Sequence, residues 1–156
     1  MRLSTAGLAT GLLLAACGSA AVQTPDVTSD IHVKLTPVVA EAEFPWGMVF
    51  LPNGDMLFTE KEGGLKRVPG GEGTPVSVSG LPEAYTDRQA GYLGLTLDPD
   101  FAANRLVYLA YSKGTPEANG AAIIHARLSD DGNALEDVTE IFWADRRDTA
   151  LHYGSR

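Results

Sequence analysis

Three histidines, one cysteine and a few acidic runs are the residues of this 156-residue chain whose chemistry could support a reaction. His125 lies in the apolar run "IIHAR" and His32 in the alternating run "IHVKL", so both are expected to be structural. His152 stands in the run "ALHYGSR". Its imidazole could take a proton near neutral pH, because histidine ordinarily titrates at about pH 6.5. Taken alone, however, the run fits a surface or turn histidine better than a catalytic one.

The acidic and glycine-rich runs favour turns over binding sites. Asp98 and Asp100 flank a proline and resemble an acid pair for a metal, but such side chains ordinarily bond nearby backbone amides in a loop. The run 130–133 lacks the spacing and the distal glutamate of a calcium loop and predicts a hairpin turn. The glycines of 70–73 are not followed by the Lys-Ser or Lys-Thr of a phosphate loop. We therefore assign no metal ligand in this chain.

The single cysteine, Cys17, follows a segment with the features of an export signal. Residues 1–16 carry one charge, Arg2, and an apolar stretch too short to span a bilayer. The run "LAAC" resembles the bacterial lipobox, in which the cysteine becomes the acylated first residue; ordinary cleavage after small residues is the alternative. Residues 17–30 indicate a flexible tether. We expect an exported periplasmic protein that is lipid-anchored to a membrane, with Gly18 favouring the outer membrane.

Composition narrows the class of protein. The net charge is −8, and it becomes −9 once residues 1–16 are removed, which argues against a nucleic-acid partner. The 17 glycines and 9 prolines are scattered among short apolar runs, which predicts an all-β protein with many turns. From residue 31 onward, no stretch keeps a helical apolar period for three turns without glycine or proline.

Alternating or apolar runs bounded by turn residues predict a series of strands and hairpins. The run 31–41 predicts a strand whose Pro37 places it at an edge. The run 46–68 predicts three strands joined by tight turns. The run 92–143 predicts four more, and Trp143 at its end is expected in the core.

These strands repeat along the chain. Gly47 and Gly94 are 47 residues apart, as are Pro52 and Pro99, and four short strands per unit of about this length are typical of a propeller. Residues 152–156 match the start of each unit. They would begin the innermost strand of a third blade, so the repeat predicts the N-terminal fragment of a longer protein.

Three runs stand in a fixed order: "FPWGMVFLPNGDMLFTEKEGGLKRV", "DRQAGYLGLTLDPDFAANRLVYLAYS" and "HYGSR". Together they resemble the soluble glucose and sorbosone dehydrogenase family, the pyrroloquinoline quinone (PQQ)-dependent aldose sugar dehydrogenases. The resemblance runs from about Val33 to Arg156. It implies a six-bladed β-propeller, of which residues 31–156 hold about two blades and the start of a third. An N-terminal strand completes the last blade in that family, and the run 31–41 resembles it.

The resemblance also implies site residues. His152 matches the general base that takes the proton of the sugar C1 hydroxyl while hydride passes to the quinone. Gln89 matches a glutamine that touches the sugar beside the quinone pocket, where an amide can both donate to and accept from hydroxyls. Leu151 departs from the acidic residue of the best-known branch, which favours the broader aldose-type branch. The PQQ clamp and the calcium site of the family belong to later blades, so the main ligands of both cofactors would lie beyond Arg156.

Two functions of different classes stay open at this point. The first is a PQQ- and calcium-dependent enzyme that oxidises aldose sugars to lactones and passes electrons to an acceptor of the respiratory chain. The second is a non-catalytic propeller lipoprotein that binds a ligand or partner, because propellers host many functions. Gln89 and His152 in register favour the enzyme. Two blades alone are expected to be inactive and prone to aggregate, since they expose strand edges.

Overall fold

Two antiparallel sheets of four strands each dominate the chain, in a computed structural model that describes residues 33–39 and 41–155. The first sheet has the order β1 (Pro45–Phe50), β2 (Met56–Glu60), β3 (Gly64–Val68), β4 (Val76–Val78). The second has the order β5 (Tyr92–Leu97), β6 (Leu106–Thr115), β7 (Ala118–Leu128), β8 (Leu135–Trp143). Within each sheet, every strand pairs with the next strand of the chain, as in the blades of a β-propeller.

Local turn chemistry forms the hairpins that the sequence predicts. Between β1 and β2 the chain turns at Gly54, whose φ of +90° favours glycine. The N–H of Gly54 donates to the carbonyl of Leu51 at 2.9 Å. Between β7 and β8 the carboxylate of Asp131 accepts the N–H of Asn133 at 3.0 Å. The run 130–133 is therefore the predicted hairpin turn.

The two sheets contact each other through their first strands, β1 and β5. A Cβ added to Gly47 would lie 2.8 Å from the backbone nitrogen of Leu95, so glycine lets the two backbones touch. Gly94, which matches Gly47 in the repeat, meets Ser155 closely as well: an added Cβ would lie 2.9 Å from the Ser155 carbonyl oxygen. Ser155 thus stands beside β5 as Leu95 stands beside β1, which agrees with the predicted repeat.

Apolar side chains of both sheets share one core. Leu57 and Leu65 from the first sheet and Leu109 and Leu128 from the second are fully buried in it. Burying a side chain of this size contributes about 1.5–3 kcal/mol to the free energy of folding. This shared core holds the two blades, and with them the loops at their ends, in a fixed arrangement.

Of the run 31–41, the structure describes residues 33–39 and 41, and these do not form the predicted edge strand. A strand exists where its backbone pairs with a neighbour. Val38 makes a single backbone bond, in which its carbonyl accepts the N–H of Gly73 at 3.3 Å. Val39 packs instead on a small apolar cluster of the first sheet.

The prediction that Trp143 lies in the core is wrong. Trp143 ends β8, the outermost strand of its sheet, and 37% of its surface is exposed. The Nζ of Lys113 lies 4.2 Å from the centre of its ring, and the guanidinium carbon of Arg146 lies 5.0 Å away. Two cations therefore cover the indole where apolar side chains were expected.

Three further features differ from the predicted strands. The sequence gives no sign of β4, and a short helix, α1 (Phe101–Asn104), follows β5. Residues 152–155 are not a strand, although Ser155 has the expected contact with β5.

Within the described residues, no helix is long and apolar enough to cross a membrane. The predicted signal segment, Cys17 and the tether lie outside the described residues, so these stay predictions.

Asp55 is a buried carboxylate that joins the first hairpin to the end of β3. It accepts the N–H of Gly70 at 2.8 Å, the Nη1 of Arg67 at 2.8 Å and the Nδ2 of Asn53 at 3.1 Å. The Gly70 bond, together with those from Arg67 and Asn53, holds the pKa of Asp55 below its ordinary value. The charged form is thus favoured by folding.

We expect Asp55→Asn to lower the free energy of unfolding at pH 7 by about 1–3 kcal/mol, because charge-assisted hydrogen bonds are lost. A lowered folded-state pKa gives stability above the unfolded pKa of about 3.9 that is lost as the pH falls through the folded value. Thermal unfolding between pH 7 and pH 3 should therefore show a smaller acid loss in the variant. Asp145→Asn, at an exposed position, is the control; equal pH profiles for wild type and Asp55→Asn would contradict the expectation.

Candidate functional site

His152 lies on the segment that follows β8 and leads to Ser155. It is exposed, and its φ of +61° is left-handed. Gly154 and Ser155 are left-handed as well, with φ of +68° and +71°. Non-glycine residues in this region carry a cost of about 1–3 kcal/mol and persist where the surroundings hold them, often at functional sites. We therefore expect contacts that hold the backbone of His152 in this conformation.

Gln89 supplies part of that support from the loop before β5. Its Oε1 accepts the N–H of His152 at 2.9 Å. Since the partner is a backbone donor, the oxygen of the amide must face it, and the Nε2 is turned elsewhere. The two residues that the sequence assigns to the site, 63 positions apart, are thus brought together.

The loop that carries Gln89 is itself fixed at the end that leads into β5. The N–H of Gln89 donates to the carbonyl of Ala150 at 3.2 Å, and the N–H of Ala90 donates to Asp87 at 2.6 Å. Gly91, which comes next, donates its N–H to the hydroxyl of Ser112 at 3.0 Å. The loop therefore presents the amide of Gln89 from a rigid base on β6.

A buried pair secures the other side of His152. The hydroxyl of Tyr153 donates to the side-chain oxygen of Asn119, which is fully buried at the start of β7. Burial raises the pKa of Tyr153, so its hydroxyl stays protonated and available as a donor. The ring of Tyr153 packs with Ala90 and Ala150 in a second apolar cluster.

Cations and polar groups line the exposed side of this segment. The Nη2 of Arg147 lies 3.5 Å from the carbonyl oxygens of both Leu151 and His152. On the neighbouring loop, the Nζ of Lys61 donates to the carbonyl of Arg88 at 3.0 Å. The imidazole of His152, the amide of Gln89 and the guanidinium of Arg147 are all exposed, and such groups can accept a proton, bond hydroxyls and attract an anion.

The other candidates of the sequence stay apart from this area. Asp98 accepts the N–H of Asp100 at 2.9 Å and the hydroxyl of Tyr108 at 2.9 Å, which is the predicted loop chemistry. His125 is half-buried in β7, and its ring centre lies 6.1 Å from that of Tyr108. In the part of the chain that the structure describes, no group of three or more histidine, cysteine or acidic residues could hold a metal ion.

Asn119 and Arg147 are the neighbours of His152 that the sequence does not reveal. Asn119 precedes a glycine after "TPEA", a pattern that indicates an exposed turn, yet the residue is fully buried. Arg147 belongs to a charged run, "DRRD", that is typical of a solvent-exposed surface. Only the structure shows that both residues contact the segment that carries His152.

Two successive four-stranded blades, in contact through their innermost strands, define a β-propeller protein. The structure of a PQQ-bound aldose sugar dehydrogenase from Streptomyces coelicolor has the same fold, with a TM-score of 0.62 and 24% identity over 70% of this chain and 33% of that one. The model of the glucose/sorbosone dehydrogenase family matches residues 42–156. This chain belongs to that family, as its sequence motifs indicate.

Two relatives extend the comparison. The aldose sugar dehydrogenase YliI of Escherichia coli K12 is 33% identical in an alignment of 143 residues that covers 90% of this chain and 38% of that protein. The uncharacterized protein slr1608 of Synechocystis is 35% identical in an alignment of 179 residues that covers 97% of this chain and 43% of that protein. The chain therefore spans less than half the length of either relative.

Proposed function

We propose that this chain is part of a PQQ-dependent dehydrogenase that oxidises aldose sugars to lactones. His152 would take the proton of the sugar C1 hydroxyl as that carbon becomes a carbonyl. PQQ, when bound, would accept the hydride from C1. The observation that carries the proposal is the 2.9 Å bond between Gln89 and the backbone of His152, because it joins the two residues that match the family motif.

The residues around His152 fit such a substrate and cofactor. Gln89 has its Nε2 free of the bond to His152 and could donate to a sugar hydroxyl. Arg147 is exposed, and its guanidinium could attract a carboxylate of the quinone. Calcium, which the resemblance implies, would take its ligands from residues that follow this chain. Electrons would then leave to an acceptor of the respiratory chain.

The test uses the natural gene product that contains this chain, purified without cofactor. Aldoses of several sizes are supplied with an artificial electron acceptor, with and without PQQ and calcium. Acceptor reduction that requires both sugar and PQQ, with lactone as product, supports the proposal. Sugar binding by calorimetry with no turnover under any of these conditions would replace it with the non-catalytic alternative.

The roles of the Oε1 acceptor and the Nε2 donor of Gln89 can be tested separately. We expect Gln89→Ala to lower kcat about tenfold, since a hydrogen bond that orients the base is worth about 1 kcal/mol or slightly more. Gln89→Glu keeps an oxygen that can accept the His152 N–H, so its kcat should fall less. Both variants lose the Nε2 donor, so KM for the sugar should rise in both. Steady-state kinetics at the pH optimum of each variant measures this; equal kcat losses would contradict the acceptor role.

We also propose that the protein works outside the cytoplasmic membrane, attached through a lipid on Cys17. The support is the sequence alone: the short apolar stretch before Cys17 and the tether-like composition of 17–30. A sugar dehydrogenase held at the membrane surface would have both its substrate and its electron acceptor within reach.

A further inference from the structure

Asn119 uses every polar atom of its side chain in a place where no water reaches it. The residue is fully buried, and its Nδ2 donates to the carbonyls of Thr115 at 2.9 Å and Pro116 at 3.2 Å. Its Oδ1 accepts the hydroxyl of Tyr153. A buried amide is costly unless it is fully bonded, and a fully bonded one fixes the geometry of all its partners.

The backbone of Asn119 holds the same segment at a second point. Its N–H donates to the carbonyl of Arg147 at 2.8 Å, and the N–H of Arg147 donates back to the carbonyl of Asn119 at 2.8 Å. One residue of β7 therefore fastens both Arg147 and Tyr153. His152 lies between these two points, one residue before Tyr153.

We propose that Asn119 is a positioning residue for His152 and that it acts through the hydroxyl of Tyr153. This inference rests on the proposed function, in which His152 is the base. Gln89 holds the N–H of His152 from the side of β5, and Asn119 holds the following residue from the side of β7. The left-handed backbone of His152 is thus fixed between two neighbouring anchors, and its imidazole is kept where a proton can be taken.

Tyr153→Phe in the natural gene product tests the proposal. It removes one hydroxyl and keeps the ring on its apolar cluster, whereas Asn119→Ala would leave the carbonyls of Thr115 and Pro116 unpaired and endanger folding. Tyr92→Phe is the matched control, because it also removes one tyrosine hydroxyl, and the Tyr92 hydroxyl donates to the carbonyl of Pro82 at 2.8 Å and not to Asn119.

Two readouts keep this proposal separate from the proposed function. Hydrogen exchange of the peptide that covers residues 147–155 needs no activity, and we expect it to rise about tenfold in Tyr153→Phe and not in Tyr92→Phe. In the PQQ-loaded enzyme, kcat should fall about 10- to 100-fold with KM within about twofold, because a misplaced base weakens the transition state alone.

Each outcome decides the matter. Unchanged exchange in Tyr153→Phe, or equal changes in Tyr92→Phe, overturns the role of Asn119. Faster exchange in Tyr153→Phe with unchanged kcat would show that loosening residues 147–155 does not affect His152 as a base. That result would also overturn the positioning role of Asn119. If the wild-type protein oxidises no sugar, the proposed function fails, and the exchange measurement alone then decides whether Asn119 holds His152.

Discussion

His152→Ala is expected to lower kcat of the PQQ-loaded gene product about 100- to 10,000-fold, the range that general-base catalysis contributes. The imidazole is exposed on a backbone held by Gln89, so it can reach a bound hydroxyl without moving the blade beneath it. In the proposed function His152 would act on the proton in the transition state, so KM should change much less than kcat. Steady-state kinetics with a fixed aldose and acceptor measures both constants.

A control and a rescue make the result specific to His152. His125→Gln replaces a half-buried histidine of β7 that lies away from the site, and its kcat should stay within about twofold of wild type, as for changes outside the reacting groups. Added imidazole should restore part of the lost rate in His152→Ala, since the position is open to solvent. A loss below about tenfold, smaller than general-base catalysis ordinarily contributes, would remove His152 from the role of base.

The strands of both blades could be predicted because local signals determine them. Short apolar runs mark β2 and β6, alternation marks β7, and turn residues such as Gly54 and Asp131 mark the ends of strands. β4 is a strand of three residues in a region rich in glycine and proline, so neither alternation nor length could mark it. Its pairing with β3 depends on the rest of the sheet being present.

The errors have a different cause, which is the position of an element in the sheet. Trp143 is aromatic and ends an apolar run, but the outer strand of a blade has a neighbour on one side only, and Lys113 covers the ring instead. The run 31–41 alternates well, yet its described residues pair with no described strand in a ladder. The periodicity of a strand indicates which of its residues could face a core. It does not indicate whether a neighbouring strand or apolar surface is present to cover them.

The sequence predicts which residues belong to the site, but it does not predict how they contact one another. Motif resemblance selects His152 and Gln89, but the bond between the Gln89 side chain and the His152 backbone depends on a left-handed φ at residue 152. Asn119 carries no motif at all, and its importance comes from burial and from bonds to residues 28 and 34 positions away. Such contacts follow from the packing of two loops on one blade, which local sequence does not encode.

Gly91→Ala is expected to be the most destabilising small change near the site. Gly91 is buried with a φ of +153°, and an added Cβ would lie 2.2 Å from the carbonyl oxygen of Lys61 and 2.6 Å from its Cγ. The carbonyl cannot move away, because it accepts the N–H of Tyr92 at 2.9 Å. Overpacking of about 1–3 kcal/mol and a backbone cost of about 1–3 kcal/mol should lower the free energy of unfolding together.

Gly70→Ala separates the two contributions. Gly70 has a φ of +67°, and an added Cβ there would meet nothing within 4 Å, so this variant should carry the backbone cost alone, about 1–2 kcal/mol. Thermal and urea unfolding of the natural gene product should place Gly91→Ala well below Gly70→Ala. Because Gly91 ends the loop that presents Gln89, a folded fraction of Gly91→Ala should also lose kcat, while Gly70→Ala keeps it. Equal stability of the two variants would mean that the loop before β5 yields to the added methyl group, and the rigid support inferred for Gln89 and His152 would be absent.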